Sequence, residues 1–172
     1  VPLSDVYESF RHAMPGEPFI TDHSYANSKS RLRMTALYQI AAPVQGIVVG
    51  TGNKVEDFGI GFFTKYGDGG VDISPIGDCM KTEVWAMGQE LGLLKEIIDA
   101  PPTDGLWADG RNDEDQLGMT YPELEKAMLQ DTYEGIRDYA TAPEKKLLKR
   151  YREIREKNLH KMTPIPVCTI PR

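Results

Sequence analysis

The 172-residue chain is 40% hydrophobic and 27% charged with a net charge of −6, the composition of one globular domain with a sizeable core. The acidic balance excludes a general grip on nucleic acid, which takes many Lys and Arg on one face. No apolar run is long enough to span a bilayer and no signal peptide opens the chain, so a cytoplasmic protein with Cys79 and Cys168 as two reduced, structural thiols is the expectation.

Leu3, Val6, Tyr7, Phe10 and Met14 fall at helical spacing, with Ser4 placed to cap the start. The following stretch, MPGEPFITDHSYANS, reads as a loop, with His23 a solvated loop residue. Asn27 to Ala42 predicts a helix, apolar over a wide arc and therefore well buried, ended by Pro43. Arg31 and Arg33 fall near its first turns. There they suit either an anionic ligand held together with the helix dipole or a plain surface arginine pair.

Gly46-Ile47-Val48-Val49-Gly50 reads as a fully buried strand of a parallel sheet. In an open α/β sheet, ligands sit past the carboxyl ends of the strands, which puts Thr51, Lys54 and Glu56 where a ligand would be met. Three glycines then surround Asp68 in Phe62-Phe63-Thr64-Lys65-Tyr66-Gly67-Asp68-Gly69-Gly70-Val71-Asp72. They permit a tight turn and a close backbone approach. Asp68 and Asp72 supply carboxylate acceptors suited to sugar hydroxyls or a metal.

A helix is expected from Glu83 to Leu91, with Thr82 as its N-cap and Gly92 at C′. Lys81, just before it, is placed for a phosphate beside free N–H groups, or is an exposed lysine. Ala100 to Asp104 is a rigid turn, and the acidic stretch from Leu106 to Gln116 reads as a mobile loop. Its Trp107 is a lid aromatic or a packing anchor. Two capping boxes, Thr120/Glu123 and Thr141/Glu144, open a helix to about Gln130 and a long helix with Leu147, Leu148, Tyr151 and Ile154 inward. The last residues, MTPIPVCTIPR, form a proline-broken extended tail.

In order and spacing, these pieces resemble the ammonia-dependent NAD synthetases of the ATP pyrophosphatase superfamily. The resemblance is carried by the strand, by GTxxxxE from Gly50 to Glu56, by FFTKYGDGGxD from Phe62 to Asp72, and by Asn27-Ser28-Lys29-Ser30-Arg31-Leu32-Arg33-Met34. It implies an α/β fold: a Rossmann-like parallel sheet with flanking helices, of the adenine nucleotide alpha-hydrolase kind. It also implies ATP-dependent amidation of deamido-NAD to NAD through an acyl-adenylate, with ammonia as nitrogen source, Mg²⁺ as metal, and a homodimer. On that resemblance Thr51, Lys81 and Thr103 meet ATP and Glu56 holds Mg²⁺. Arg31, Tyr38, Phe63, Asp68, Asp72, His160 and Lys161 surround deamido-NAD, and the 106–116 stretch is a lid.

The chain also departs from the family pattern. One residue is inserted between Glu56 and Gly61, which leaves Phe62 and Phe63 both open as the pyridine-stacking ring. Asp104-Gly105-Leu106 replaces the ADL that follows the family's Pro-Thr, and Met162 follows His160-Lys161 where the family has Arg. The pyrophosphate-cradling SGGxDS loop does not occur, and the chain opens on Val1. The expectation is one ligase domain over residues 1–172, lacking the amino-terminal ATP-loop portion, unable to adenylate alone and associating through an open sheet edge. The alternatives are a non-catalytic dinucleotide-binding or dimerisation fragment, and the synthetase domain of another ATP-pyrophosphatase amidotransferase. FFTKYGDGG speaks against the second.

Overall fold

The computed structural model describes residues 1–171. The core forms where α6 (Tyr121–Thr132) and α8 (Ala142–Met162) pack on each other and on a π-helix, Val55–Ile60. Val55, Ile60, Leu117, Met119, Tyr121, Leu124, Ala127, Leu148 and Tyr151 make one buried cluster, with Leu147 and Ile154 packed against it. Both capping boxes fix where the long helices begin. Thr120 N donates to Glu123 Oε2 at 2.8 Å and Thr141 N to Glu144 Oε2 at 2.7 Å, each pair satisfying donors that a helix start leaves open.

The π-helix is held by a row of donors on one face of α8. Arg155 donates to the carbonyls of Phe58 and Gly59, and Asn158 Nδ2 to Ile60 O at 2.9 Å. Lys161 Nζ donates to Gly61 O at 3.0 Å and Phe63 O at 2.8 Å. A helix wound this wide is rare and tends to occur at functional sites. Each of these bonds contributes about 0.5–1.5 kcal/mol, the charged ones at the upper end.

α3 (Lys81–Glu90) begins two residues earlier than expected. Thr82 lies inside it, and Glu83 receives the Met80 N–H at 2.7 Å in the cap. The Thr82 hydroxyl and N–H instead donate to the buried Glu125 carboxylate at 2.7 and 2.9 Å, tying α3 to α6. Gly92 sits in the left-handed region at φ +67, as a C′ residue should.

The sheet differs most from expectation. Val49 and Ile73 form one isolated parallel bridge, flanked by Asp72 N to Val48 O at 2.9 Å and Gly50 N to Ile73 O at 2.7 Å. Val48 is 5% exposed, whereas Ile47 and Val49 are 58% and 51% exposed. The segment is thus covered on one face, not both, because alternate side chains of an extended segment point to opposite sides.

α2 (Asp22–Ala41) begins five residues before the expected start. Thr21 Oγ1 accepts from Ser24 N at 3.0 Å while Ser24 Oγ accepts from Thr21 N at 3.1 Å. His23 is therefore helical, and Arg31 and Arg33 lie mid-helix, too far in for the dipole at the start to act with them. Of α2 only Ala26 and Ser30 are buried, and Leu37 and Ile40 are exposed. The wide apolar arc faces solvent instead of a core. α1 (Ser4–Ala13) has no buried residue and no side-chain cap; Ser4 is already inside it. It rests on α2 through an edge contact of Tyr7 with Tyr25 at 6.2 Å and through Arg11 over the Tyr25 ring at 5.0 Å.

The 106–116 stretch is anchored rather than loose. Lys29 Nζ donates to Leu106 O at 2.9 Å, Arg33 donates to the carbonyls of Asp104 and Gly105 at 3.3 Å each, and Trp107 Nε1 donates to Asp104 Oδ2 at 3.1 Å. α5 (Asp113–Leu117) closes it, capped by Asn112. α4 (Lys95–Ile98) and α7 (Glu134–Arg137) are single-turn connectors. Both cysteines are free thiols, and Cys168 is exposed in the tail rather than packed.

Gly61 has φ +65, and a Cβ there would lie 2.7 Å from Asn158 Cβ. Gly92 has φ +67 and open space around it. Gly61→Ala is therefore expected to destabilise by about 2–3 kcal/mol, combining left-handed strain with a clash, and Gly92→Ala by about 1 kcal/mol. Urea unfolding of both variants checks the order; equal losses would contradict it.

Candidate functional site

A cavity of about 670 Å³ opens between α2, the 48–52 segment, the π-helix, the 62–70 turn, the start of α3 and residues 102–116. Its floor is the glycine turn. Asp68 Oδ1 accepts from Thr64 N at 2.9 Å and from Ser30 Oγ at 2.7 Å, and Asp68 N donates back to Ser30 Oγ at 3.0 Å. A Cβ on Gly67 would stand 2.2 Å from that Ser30 oxygen, so the turn closes onto α2 only with glycine there. Thr64 Oγ1 donates to Asn27 Oδ1 at 2.7 Å, a second tie to α2.

One wall is acidic. Asn53 Oδ1 accepts from Val55 N at 3.1 Å and Glu56 N at 3.2 Å, starting the π-helix and aiming Glu56. Glu56 Oε1 receives Lys81 Nζ at 3.3 Å and the Tyr121 hydroxyl in a short hydrogen bond. The Tyr121 oxygen also lies 3.1 Å from Asp113 Oδ2. One phenolic proton can serve only one of these carboxylates at a time. Burial and the two carboxylates push the Tyr121 phenol up, so it stays protonated. Lys81 also sits 4.7 Å from the Tyr121 ring centroid, a cation–π contact.

Asp113 is 7% exposed, and its Oδ1 has no hydrogen-bond partner among the described residues. Burial pushes its carboxyl up. Asp57 also lines the cavity, and burial, then Glu56 and Asp68, raise its carboxyl to about 6. Its carboxyl fills the space beside Gly52, where a Cβ would stand 2.1 Å from Asp57 Oδ2.

The opposite wall is basic and aromatic. Lys161 meets Phe63 through its carbonyl at 2.8 Å and lies 5.7 Å from its ring centroid; burial lowers the Lys161 pKa. Trp107 stacks on His23 at 6.3 Å with 29° between planes, and Arg111 lies over the same indole at 4.6 Å. Thr103 Oγ1 accepts from Gly105 N at 3.2 Å and donates to Arg111 O at 3.3 Å, within its own turn.

Of the residues singled out from sequence, Thr51, Glu56, Phe63, Asp68, Lys81, Thr103 and Lys161 line this one cavity, as does Phe62. Five others, Arg31, Tyr38, Asp72, His160 and Lys54, stand outside its lining. Arg31 Nε donates to Lys65 O at 3.3 Å, and Tyr38 OH donates to Asp72 Oδ1 at 3.1 Å. Asp72 Oδ2 accepts from Val48 N at 2.7 Å, so this carboxylate braces the bridge. His160 is exposed and its carbonyl receives Lys65 Nζ. Lys54 pairs with Asp78 at 2.7 Å. Among the described residues, no three His, Cys, Asp or Glu side chains are gathered as a ready metal site.

The family model for NAD synthase matches residues 1–165. The chain belongs to the NAD synthase family. An NH(3)-dependent NAD(+) synthetase of Methanococcoides burtonii is 47% identical over 73% of this chain and 47% of its own length. That of Methanosarcina mazei is 37% identical over 97% of this chain and 66% of its own. This chain therefore spans about half to two thirds of the length of these curated relatives. A solved NMN synthetase from Francisella tularensis superposes with a TM-score of 0.83 and 32% identity, over 99% of this chain and 66% of that one. An NH3-dependent NAD synthetase from Campylobacter jejuni superposes at TM-score 0.75 with 22% identity, over 98% and 64%, a likeness of fold. The fold is thus the one these synthetases share, but the expected parallel sheet is not seen among the described residues, where a single bridge joins Val49 and Ile73.

The sequence reading missed His23, Asp57, Tyr121 and Asp113 as cavity or cavity-wall groups. Tyr121 carried only a helix-start signal, and nothing in the acidic 109–115 stretch set Asp113 apart from Asp109, Glu114 or Asp115. Asp57 had one usable signal, the adjacent glutamate, since neighbouring carboxyls raise each other's pKa.

The raised Asp57 pKa has a definite sign. The native state binds this proton more tightly than the unfolded chain does, so the associated stability is fully present below the usual carboxylate pKa of 3.8 and is lost as pH rises to about 6. Asp57→Asn is expected to stabilise the chain by about 1 kcal/mol at pH 7.5, after discounting for partial exposure, and to flatten the fall of stability between pH 4 and about 6. Urea midpoints across that range check this; an unchanged slope would count against it.

Proposed function

We propose that this cavity is the substrate cleft of an ATP-dependent amidation that converts deamido-NAD to NAD. The observation that carries it is the gathering of Glu56, Asp68, Lys81 and Lys161 around one 670 Å³ cavity in a chain of the NAD synthase family. In this reaction the nicotinate carboxylate attacks the α-phosphate of ATP and expels pyrophosphate, and ammonia then displaces AMP from the acyl-adenylate. Both steps move negative charge between carboxylate and phosphates, so positioned cations and donors matter more than a protein base.

Lys81, at the first position of α3, lines the cavity and offers a point charge to a phosphate. Thr51 and Thr103 supply hydroxyls on the same cavity. Asp68 is presented by the glycine turn toward ribose hydroxyls, and Phe63, with Lys161 over its ring, offers a face to the pyridine. Arg31, Tyr38, Asp72 and His160 lie outside the cavity lining, and in this reading they meet parts of the dinucleotide beyond it.

Mg²⁺ fits the acidic wall on its donor chemistry. Glu56 gives a hard carboxylate oxygen, and Asp113 Oδ1 is a buried oxygen without a partner. When bound, the ion would neutralise the phosphates as charge shifts among them.

A homodimer belongs to the same reading, supported by the exposed apolar side chains of Leu37, Ile40, Val44 and Ile47. Light scattering is expected to give twice the 19.3 kDa chain mass; a sharp single-chain mass would contradict it. The reading places the reaction in the cytoplasm, with free ammonia as nitrogen source.

A second reading takes the mononucleotide, nicotinate mononucleotide, as acceptor, on the strength of the likeness to the Francisella tularensis NMN synthetase. Because SGGxDS does not occur in the chain, the 172 residues alone are proposed to bind the acceptor without adenylating it. Titration calorimetry is expected to show deamido-NAD binding, weakened about tenfold by Asp68→Asn, a loss of about 1.4 kcal/mol. ATP–pyrophosphate exchange is expected to be absent. Exchange by this chain would overturn its inactivity, tighter binding of the mononucleotide would favour the second reading, and binding of neither would overturn both.

A further inference from the structure

Asp113 has so far entered only as a buried oxygen on the acidic wall, with no contact to a ligand assigned to it. It is a carboxylate at 7% exposure on the cavity wall, with Oδ2 facing Tyr121 OH at 3.1 Å and Oδ1 facing no donor. A buried polar atom left unpaired costs about 1–3 kcal/mol, and more when charged. Asp113 lines the cavity, and a ligand there would complete the bonding of Oδ1 once the carboxyl turns toward it.

We infer that Asp113 is the second carboxylate of a divalent-cation site shared with Glu56, meeting the ion through Oδ1 directly or across one water. This rests on the reading of Glu56 as a cation ligand and adds a residue to it. Tyr121 supplies the geometry. Its hydroxyl stands between Glu56 Oε1 and Asp113 Oδ2, so the two carboxyls flank one phenol. While the wall holds no ion, the phenolic proton bonds to Glu56. Were Glu56 to hold an ion, the phenolic hydrogen bond would be left for Asp113 Oδ2. The proton then holds Asp113 in place with Oδ1 toward the ion. Trp85 packs edge-on to the Tyr121 ring at 6.0 Å and keeps the phenol in position for either partner.

Charge favours the same assignment. A polyphosphate entering beside Lys81 would face Glu56, Asp57 and Asp113, all on the cavity lining. A compact doubly charged ion offsets that repulsion, while Lys81 swings from Glu56 to the phosphate. Two carboxylates, with water and phosphate filling the other positions, is a usual complement for Mg²⁺, which seldom relies on an all-protein cage. The competing account is that Asp113 is simply a neutral buried acid bonded to Tyr121.

The test uses Mn²⁺ alone, followed by the loss of its free electron paramagnetic resonance signal in titrations of the 172-residue chain. The variants are Glu56→Gln, Asp113→Asn and the surface control Asp78→Asn. Asparagine mimics the protonated acid in shape and bonding, so a merely structural Asp113 leaves Mn²⁺ affinity unchanged in that variant. The expected result is one site, weakened about tenfold by Asp113→Asn and by Glu56→Gln, and unaltered by Asp78→Asn.

Glu56→Gln weakened with Asp113→Asn unchanged overturns the role of Asp113 and leaves Glu56 as ligand. The reverse pattern overturns the shared site and the Glu56 reading together. No Mn²⁺ bound by the unaltered chain up to about 10 mM does the same. If Asp113→Asn folds poorly, Asp113→Ala is read instead by the rise in thermal midpoint on adding Mn²⁺. That rise is expected in the unaltered chain and lost in the variant; an equal rise overturns the inference.

Discussion

Three side chains one turn apart on α8 determine where nearly everything in the cleft stands. Arg155, Asn158 and Lys161 donate to the run of carbonyls from Phe58 to Phe63. Backbone oxygens in so wide a turn lack the neighbours an α-helix would give them, and buried ones must find donors elsewhere. Because α8 supplies them, the chain can make a π-turn, reverse at Gly61 and enter the glycine loop. That path puts Glu56, Asp57, Phe63 and Asp68 on one cavity. The site is set by a helix nearly 100 residues away in sequence, a long-range constraint rather than a local one.

The cavity is electrically divided. Glu56, Asp57 and Asp113 bring carboxyls from the π-helix and α5, while Lys81 and Lys161 lie over the Tyr121 and Phe63 rings. Lys81 pairs with Glu56, their side chains 20% and 14% exposed. A half-buried pair of this kind contributes little net stability, since desolvation offsets most of the attraction. Its value lies in exchange: each partner can pass to a ligand group of matching sign without leaving an uncompensated charge behind. The same applies to the Tyr121 hydroxyl, which has two carboxylates to choose from.

Local signals in the sequence were legible where the physics is local. The boxes at Thr120 and Thr141, the left-handed Gly92, and the apolar stripe through Leu148 and Tyr151 depend on neighbours three or four residues away. The ordered motifs around Glu56, Asp68 and Lys81 announced a family, and those three residues share one cavity. What could not be read was tertiary. The apolar arc of α2 implied burial, but no packing partner covers Leu37 or Ile40. The Ile47–Val49 run implied a two-sided strand but pairs once. Thr82 looked like a cap because its partner Glu125 lies 43 positions away. Asp113 and Tyr121 became visible only when α5 and α6 were folded against the π-helix.

Gly52 and Asp57 occupy, in effect, a single plot of space. With no side chain at 52, the carboxyl at 57 lies where one would project, 2.1–2.4 Å from the site of the missing carbon. The two positions are therefore mutationally coupled. A larger residue at 52 becomes compatible with the cleft only when 57 shrinks, and the penalty of either change depends on which was made first. An acidic group at this spot could thus be mounted from either position, which leaves evolution two interchangeable anchor points for one negative charge.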